Sequence, residues 1–94
     1  MGEPKALKHK IEQVFLDLGF QKKEAGGKTF LHYHEVYCLI TYLEHYQAFV
    51  IESADSYDEA MNGLLEDGDL YYAADSEAAI LDAVRKDIKK YYMS

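Results

Sequence analysis

Between Thr29 and Ala54 the chain holds neither glycine nor proline and is dense in aromatic and β-branched residues. Such a run favours extended structure, and it is too long for one strand, because strands usually run about 3–10 residues. It must therefore fold back on itself. The polar points at which it can turn are His34-Glu35 and Glu44-His45, which predicts three strands, at about Thr29–Tyr33, Val36–Leu43 and Tyr46–Ser53. In the middle strand Val36, Cys38, Ile40 and Tyr42 point one way and Tyr37, Leu39, Thr41 and Leu43 the other. Both sets are largely apolar, so this strand is central and something covers its second face at least in part.

Helical periods flank the run. Leu7, Ile11, Val14, Phe15 and Leu18 fall on one face of a helix that starts near Pro4, a residue tolerated in a first turn. Gly19 stops it, with Phe20 placed to fold back on the last turn. Gln21 to Lys28 is polar, contains Gly26-Gly27, and reads as a loop or a turn between short strand ends. After the strands, Ser56 and Glu59 form a capping box for a short helix with Tyr57, Ala60, Met61 and Leu64 as its apolar stripe. Glu66-Asp67-Gly68-Asp69 reads as the turn that ends it, and Leu70–Ala73 as a short fourth strand. Asp75 or Ser76 caps a last helix that buries Ile80, Val84, Ile88 and Tyr91, with Arg85, Lys86, Lys89 and Lys90 near its C-terminal dipole.

The expectation is one small two-layer α+β domain spanning residues 1–94, in the order α-β-β-β-α-β-α, with an antiparallel three- to four-stranded sheet packed with helices. The simplest packing sets all three helices on one face and leaves the other open, a candidate surface for a two-fold homodimer. The competing packing sends one helix across to the second face.

Composition supports a folded, reducing-compartment protein. The chain has 94 residues, 49% of them hydrophobic, with one proline and one cysteine. Cys38 cannot form an internal disulfide. The start, Met1 to Lys5, lacks the apolar stretch of a secretory leader, and position 6 is Ala where a myristoylation motif wants Ser or Thr. No run is long and apolar enough for a membrane helix. The cytoplasm is the default compartment.

Charge is unevenly placed. From Thr29 to Val84 there are twelve acids and no Lys or Arg, whereas the two ends together carry a net +5 within a total of −7. An acidic middle repels phosphate backbones, which argues against nucleic acid. It suits a basic protein partner, because opposite charge steers encounter.

Motifs for catalysis are missing: there is no GxSxG, P-loop or GxGxxG. His32-x-His34 has a spacing that can clasp a metal, with Glu44 and His45 across a hairpin, but two imidazoles at a strand end are two ligands where three or four are needed. Asp67-Gly68-Asp69 followed by Asp75 and Glu77 fails the calcium-loop pattern, because glycine falls at the second place and Tyr71 at the fifth. Cys38 lies mid-strand among apolar residues, where a thiol is packing. Ser53, Ser56 and Ser76 read as turn and cap residues. No cofactor or metal is expected.

Nine tyrosines accompany no tryptophan. Tyr33, Tyr37, Tyr42 and Tyr46 are strand formers. Tyr71-Tyr72 and Tyr91-Tyr92 are different, since adjacent tyrosines cannot both face one core, and tyrosine suits interfaces. The chain's acidity, size and α+β order loosely look like small bacterial immunity and antitoxin proteins, which mask basic partners. The expected function is a non-enzymatic protein-binding module whose contact residues are Asp67, Asp69, Tyr71, Tyr72 and Asp75. The alternative is a small-ligand-binding domain or small enzyme, with a Tyr/His-lined pocket between sheet and helices.

Overall fold

In the computed structural model, residues 4–93 are described. Met1–Glu3, read above for leader and acylation signals, lie outside them. The chain order is α1 (Lys5–Asp17), β1 (Gln21–Ala25), β2 (Lys28–Tyr33), β3 (Val36–Leu43), β4 (Ala48–Ala54), α2 (Tyr57–Met61), β5 (Glu66–Tyr72) and α3 (Glu77–Tyr91). The fold is α+β. The strands form one antiparallel sheet in sequence order, β1-β2-β3-β4-β5.

The α1 face is the one its periodicity predicts. Ile11, Val14 and Phe15 are buried, and Leu7 and Leu18 pack against them in part. The helix ends in a Schellman motif: the Phe20 amide donates to the Phe15 carbonyl at 3.0 Å and the Gly19 amide to Leu16 at 3.1 Å. Gly19 has a φ of 104°, which a side chain would resist. The apolar contact that accompanies this motif is Phe20 on Phe15, edge to face, with centroids 5.0 Å apart.

α1 and α3 lie together on one face of the sheet, over Leu31, Cys38, Ile40, Phe49, Ile51 and Tyr71. The expectation that all three helices share that face is overturned. α2 crosses to the other side, where Ala60 and Met61 pack with Phe30, Tyr37, Leu39 and Ala54. This is the competing arrangement, and it answers the apolar second face of β3. Tyr37 and Leu39 go under α2, while Val36, Cys38, Ile40 and Tyr42 go under α1 and α3. No helix among the described residues is long and apolar enough to cross a membrane.

Four local expectations are corrected. Gln21–Ala25 is a strand, so the sheet has five strands instead of three or four. The fourth strand along the chain begins at Ala48, leaving Tyr46 60% exposed in the turn. Glu66–Asp69 belongs to β5, because α2 has already ended at Asn62-Gly63, leaving Leu64 outside the helix and exposed. At the end of α3, Tyr91 faces solvent and Tyr92 packs on the core.

Gly68 has a packing reason. Val50 pairs with Leu70 and Glu52 with Asp67, so Ile51 alone opposes both Gly68 and Asp69 in a β-bulge. A Cβ on Gly68 would lie 2.8 Å from the Ile51 carbonyl oxygen. A side chain there forces the two strands apart.

Candidate functional site

Two surfaces stand out from the core: the acidic β5 edge and a cleft between β2 and β3.

β5 is an outer strand, and its first four residues are Glu66, Asp67, Gly68 and Asp69. Glu66 pairs with Ser53, and Asp67 lies directly opposite Glu52. Like charges in that relation repel and cost stability. Thr41 donates a 2.6 Å hydrogen bond to Glu52. The chain beyond β4 adds Asp55, then Asp58 and Glu59 in the first turn of α2, where the helix dipole favours anions. The side chain of Ser56 caps that helix by accepting from the Glu59 amide at 3.2 Å. Two ion pairs among the described residues join other regions: Lys10 to Glu77 at 2.5 Å ties α1 to α3, and Lys86 to Asp82 at 3.0 Å lies within α3.

The five residues singled out in the sequence divide between two faces. Asp67 shares the second face with Glu52, and Tyr72, 46% exposed, shares it with Ala48. Tyr71 points the other way and is buried against α3, donating a 2.6 Å hydrogen bond to Asp87. Asp69 lies near enough to that cluster for its charge to help raise the Tyr71 and Tyr92 phenols. Asp75 is exposed in the turn before α3, whose cap is Ser76. Asp67, Asp69, Tyr72 and Asp75 are thus on or near the surface, and Tyr71 is part of the core.

The cleft arises because the sheet splits. β2 pairs with β3 only through Leu31–Tyr33 and Val36–Cys38. Lys28–Thr29 continues against β1, while β3 runs on to Leu43 against β4. The gap has a volume of about 960 Å³ and is open to solvent. α1 walls one side with Lys8 and Glu12, and Leu65 walls the other. No feature of the sequence announces it, since it depends on where one ladder stops.

The histidines do not converge. His32 stacks on Tyr37 at 5.3 Å, with its Nδ1 buried and unpartnered, whereas His34, at a φ of 54° in the β2–β3 turn, packs on Tyr33 at 4.3 Å. Among the described residues no group of three or more His, Cys, Asp or Glu is placed to hold a metal. Cys38 is wholly buried, and burial pushes its thiol up to about 12, which keeps it protonated and unreactive at neutral pH.

No family pattern matches the chain, and no characterised protein or solved structure is significantly similar to it.

Proposed function

We propose that the chain is a non-enzymatic protein-binding module whose acidic β5 edge meets a basic surface on a partner protein. The observation that carries this reading is the direct opposition of Glu52 and Asp67, continued along a free strand edge by Glu66 and Asp69. Clustered like charge weakens the fold, and a basic partner relieves that repulsion on binding. Tyr72, exposed on the same face further along β5, supplies apolar contact area. The alternative, a Tyr/His-lined small-ligand pocket, has less support, because the cleft between β2 and β3 is open and mixed in lining instead of enclosed and apolar.

Capture from a native lysate tests the reading when done at two salt concentrations. The Debye length falls from about 10 Å at 0.1 M to about 3 Å at 1 M, so a partner held by these acids is expected to elute at high salt. Asp67→Lys is expected to abolish capture while folding normally, since it replaces a repulsive pair with Glu52 by an attractive one. A partner retained equally at both salts, and equally by the variant, would remove the acidic edge from the account.

A second reading rests on the part of the second face that α2 does not cover, where Leu43, Leu70 and the exposed Tyr72 lie together. A two-fold homodimer through this strip would bury it. Sedimentation equilibrium at micromolar concentration then returns twice the monomer mass, and a monomer mass ends this reading.

A further inference from the structure

The two outer edges of the sheet are blunted against strand pairing and the inner one is not. β1 carries Lys22, Lys23 and Glu24, all exposed. β5 carries Glu66, Asp67 and the bulge at Gly68-Asp69. Charge and bulges are the devices by which natural sheets keep foreign strands off an edge. The third edge lies in the cleft. From Leu39 to Leu43 the β3 sequence is Leu-Ile-Thr-Tyr-Leu, without charge or proline, and its register with β4 is unbroken as far as Leu43 opposite Ala48.

In a strand, alternate residues turn their N–H and C=O groups to opposite sides. Along Leu39–Leu43 one set is used by the β4 ladder. The other set faces the cleft, where β2 has already ended its pairing at Leu31 opposite Cys38, so no strand among the described residues meets it. Facing an open cleft, these backbone groups have water as their partner until a strand takes its place.

We infer that this cleft captures an extended, uncharged segment of another protein, which adds to the free edge of β3 as a further strand. Strand addition of this kind takes affinity from main-chain hydrogen bonds and specificity from alternate side chains. Five residues extend over roughly 17 Å at about 3.3 Å per residue, and the 960 Å³ gap accommodates such a segment. One side of it would meet Leu31, Ile40 and Tyr42 beneath α1, and the other Leu39 and Leu65. Each side offers apolar contacts next to the strand edge, with charged residues around them, which favours β-branched or aromatic residues at the positions that meet those side chains. The charges around the cleft cancel, Lys5, Lys8 and Lys28 against Glu12, Glu44 and Glu52, so a charged segment gains no net attraction.

The recess also decides against a second copy of the chain. β3 lies between α1 on one side and Leu65 on the other, so a folded domain cannot bring its own recessed β3 edge alongside. A segment that is not itself part of a sheet can enter. The cleft shares Glu52 with the acidic edge, but the backbone groups proposed to bind here lie on β3, so the salt dependence of binding tells the two readings apart.

Residue-resolved hydrogen exchange of the full chain tests the inference, with peptides selected on it from a random heptapeptide library displayed on phage. In the free protein, alternate amides of Leu39–Leu43 are expected to exchange at least about tenfold faster than those bonded to β4. A selected peptide is expected to be uncharged, to slow those same amides by at least about tenfold, and to bind equally at roughly 0.1 M and 1 M salt, unlike a partner of the acidic edge. Proline at its central position should abolish binding by removing an N–H. The inference is overturned if all five amides are protected in the free chain. It is also overturned if no peptide is enriched, if selected peptides protect other residues, or if protection of these amides grows with protein concentration alone, which would mean self-pairing.

Discussion

Phe15→Ala is expected to cost about 3–5 kcal/mol, enough to remove much of the stability of a domain this size. At roughly 0.05–0.15 kcal/mol per residue, a chain of 94 residues holds about 5–14 kcal/mol in total. Phe15 is 0% exposed and belongs to the core cluster that α1 and α3 form with the sheet. Its ring packs edge to face with that of Phe20, and Phe20 in turn stacks on Tyr33 of β2 at 5.2 Å. Its carbonyl accepts the amide of Phe20 in the motif that ends α1. Truncation therefore leaves a cavity and loosens the clip that fixes the entry into β1. Ile11→Ala, also at a wholly buried position, should cost about 2–5 kcal/mol, and Leu18→Ala, half-buried, distinctly less. Urea unfolding of the three variants checks the order. Equal losses at Ile11 and Leu18, or a loss below about 1 kcal/mol at Phe15, would show that α1 packs through a different face.

How far these features can be read from sequence depends on how local their causes are. α1 is legible because its period, its glycine stop and the aromatic that follows it are neighbours in the chain. The central place of β3 is legible for the same reason, since both of its faces are apolar. β1 is not. Gln-Lys-Lys-Glu-Ala has no apolar alternation to display, because the strand is exposed on both sides and exists through its pairing with β2. Glu66–Asp69 reads as a turn for a related reason: acids and a glycine are turn formers in isolation, and here they are a charged edge strand with a bulge. At Tyr91 and Tyr92 the helical period cannot choose, because they follow Ile88 by three and four residues and both spacings return to one face. The proposed contact residues show the same limit. Sequence adjacency groups Tyr71 with Tyr72, and strand alternation then sends one to Asp87 and the other to solvent. The cleft could not be read at all, since strand periodicity marks which residues are extended and says nothing of where two ladders part.

Alkaline pH is expected to unfold the protein, with stability falling steeply above about pH 10 and lost near pH 11–12. The cause is three weak acids that the fold keeps protonated. Burial pushes the Cys38 thiol from 9.0 up to about 12. The Tyr71 phenol is raised above its ordinary 10.0 by burial first, then by its hydrogen bond to Asp87 and the charges of Asp87 and Asp69. Burial also raises Tyr92, partly offset by a hydrogen bond with Ser53. The sign follows from which state loses protons first. Below pH 9 both states hold the Cys38 proton and the group adds nothing to the pH dependence. As pH rises, the unfolded chain ionises while the native one does not, so unfolding releases protons and is favoured. Each such group steepens the fall by about 1.4 kcal/mol per pH unit between its unfolded and folded values. For Cys38 that window is 9.0 to about 12, a loss of about 4 kcal/mol at its upper end. Tyr71 and Tyr92 join above 10.0. Urea unfolding at a series of pH values measures the slope directly. Cys38→Ala is less stable at neutral pH, because it leaves a small cavity, yet its slope above pH 9 should be shallower by one proton. Tyr71→Phe, which gives up the Asp87 hydrogen bond at a cost of about 1 kcal/mol, should likewise flatten the curve above pH 10. A slope unchanged in both variants, or a wild-type stability that stays level from pH 9 to 11, would mean that these three groups are reached by solvent in the folded protein.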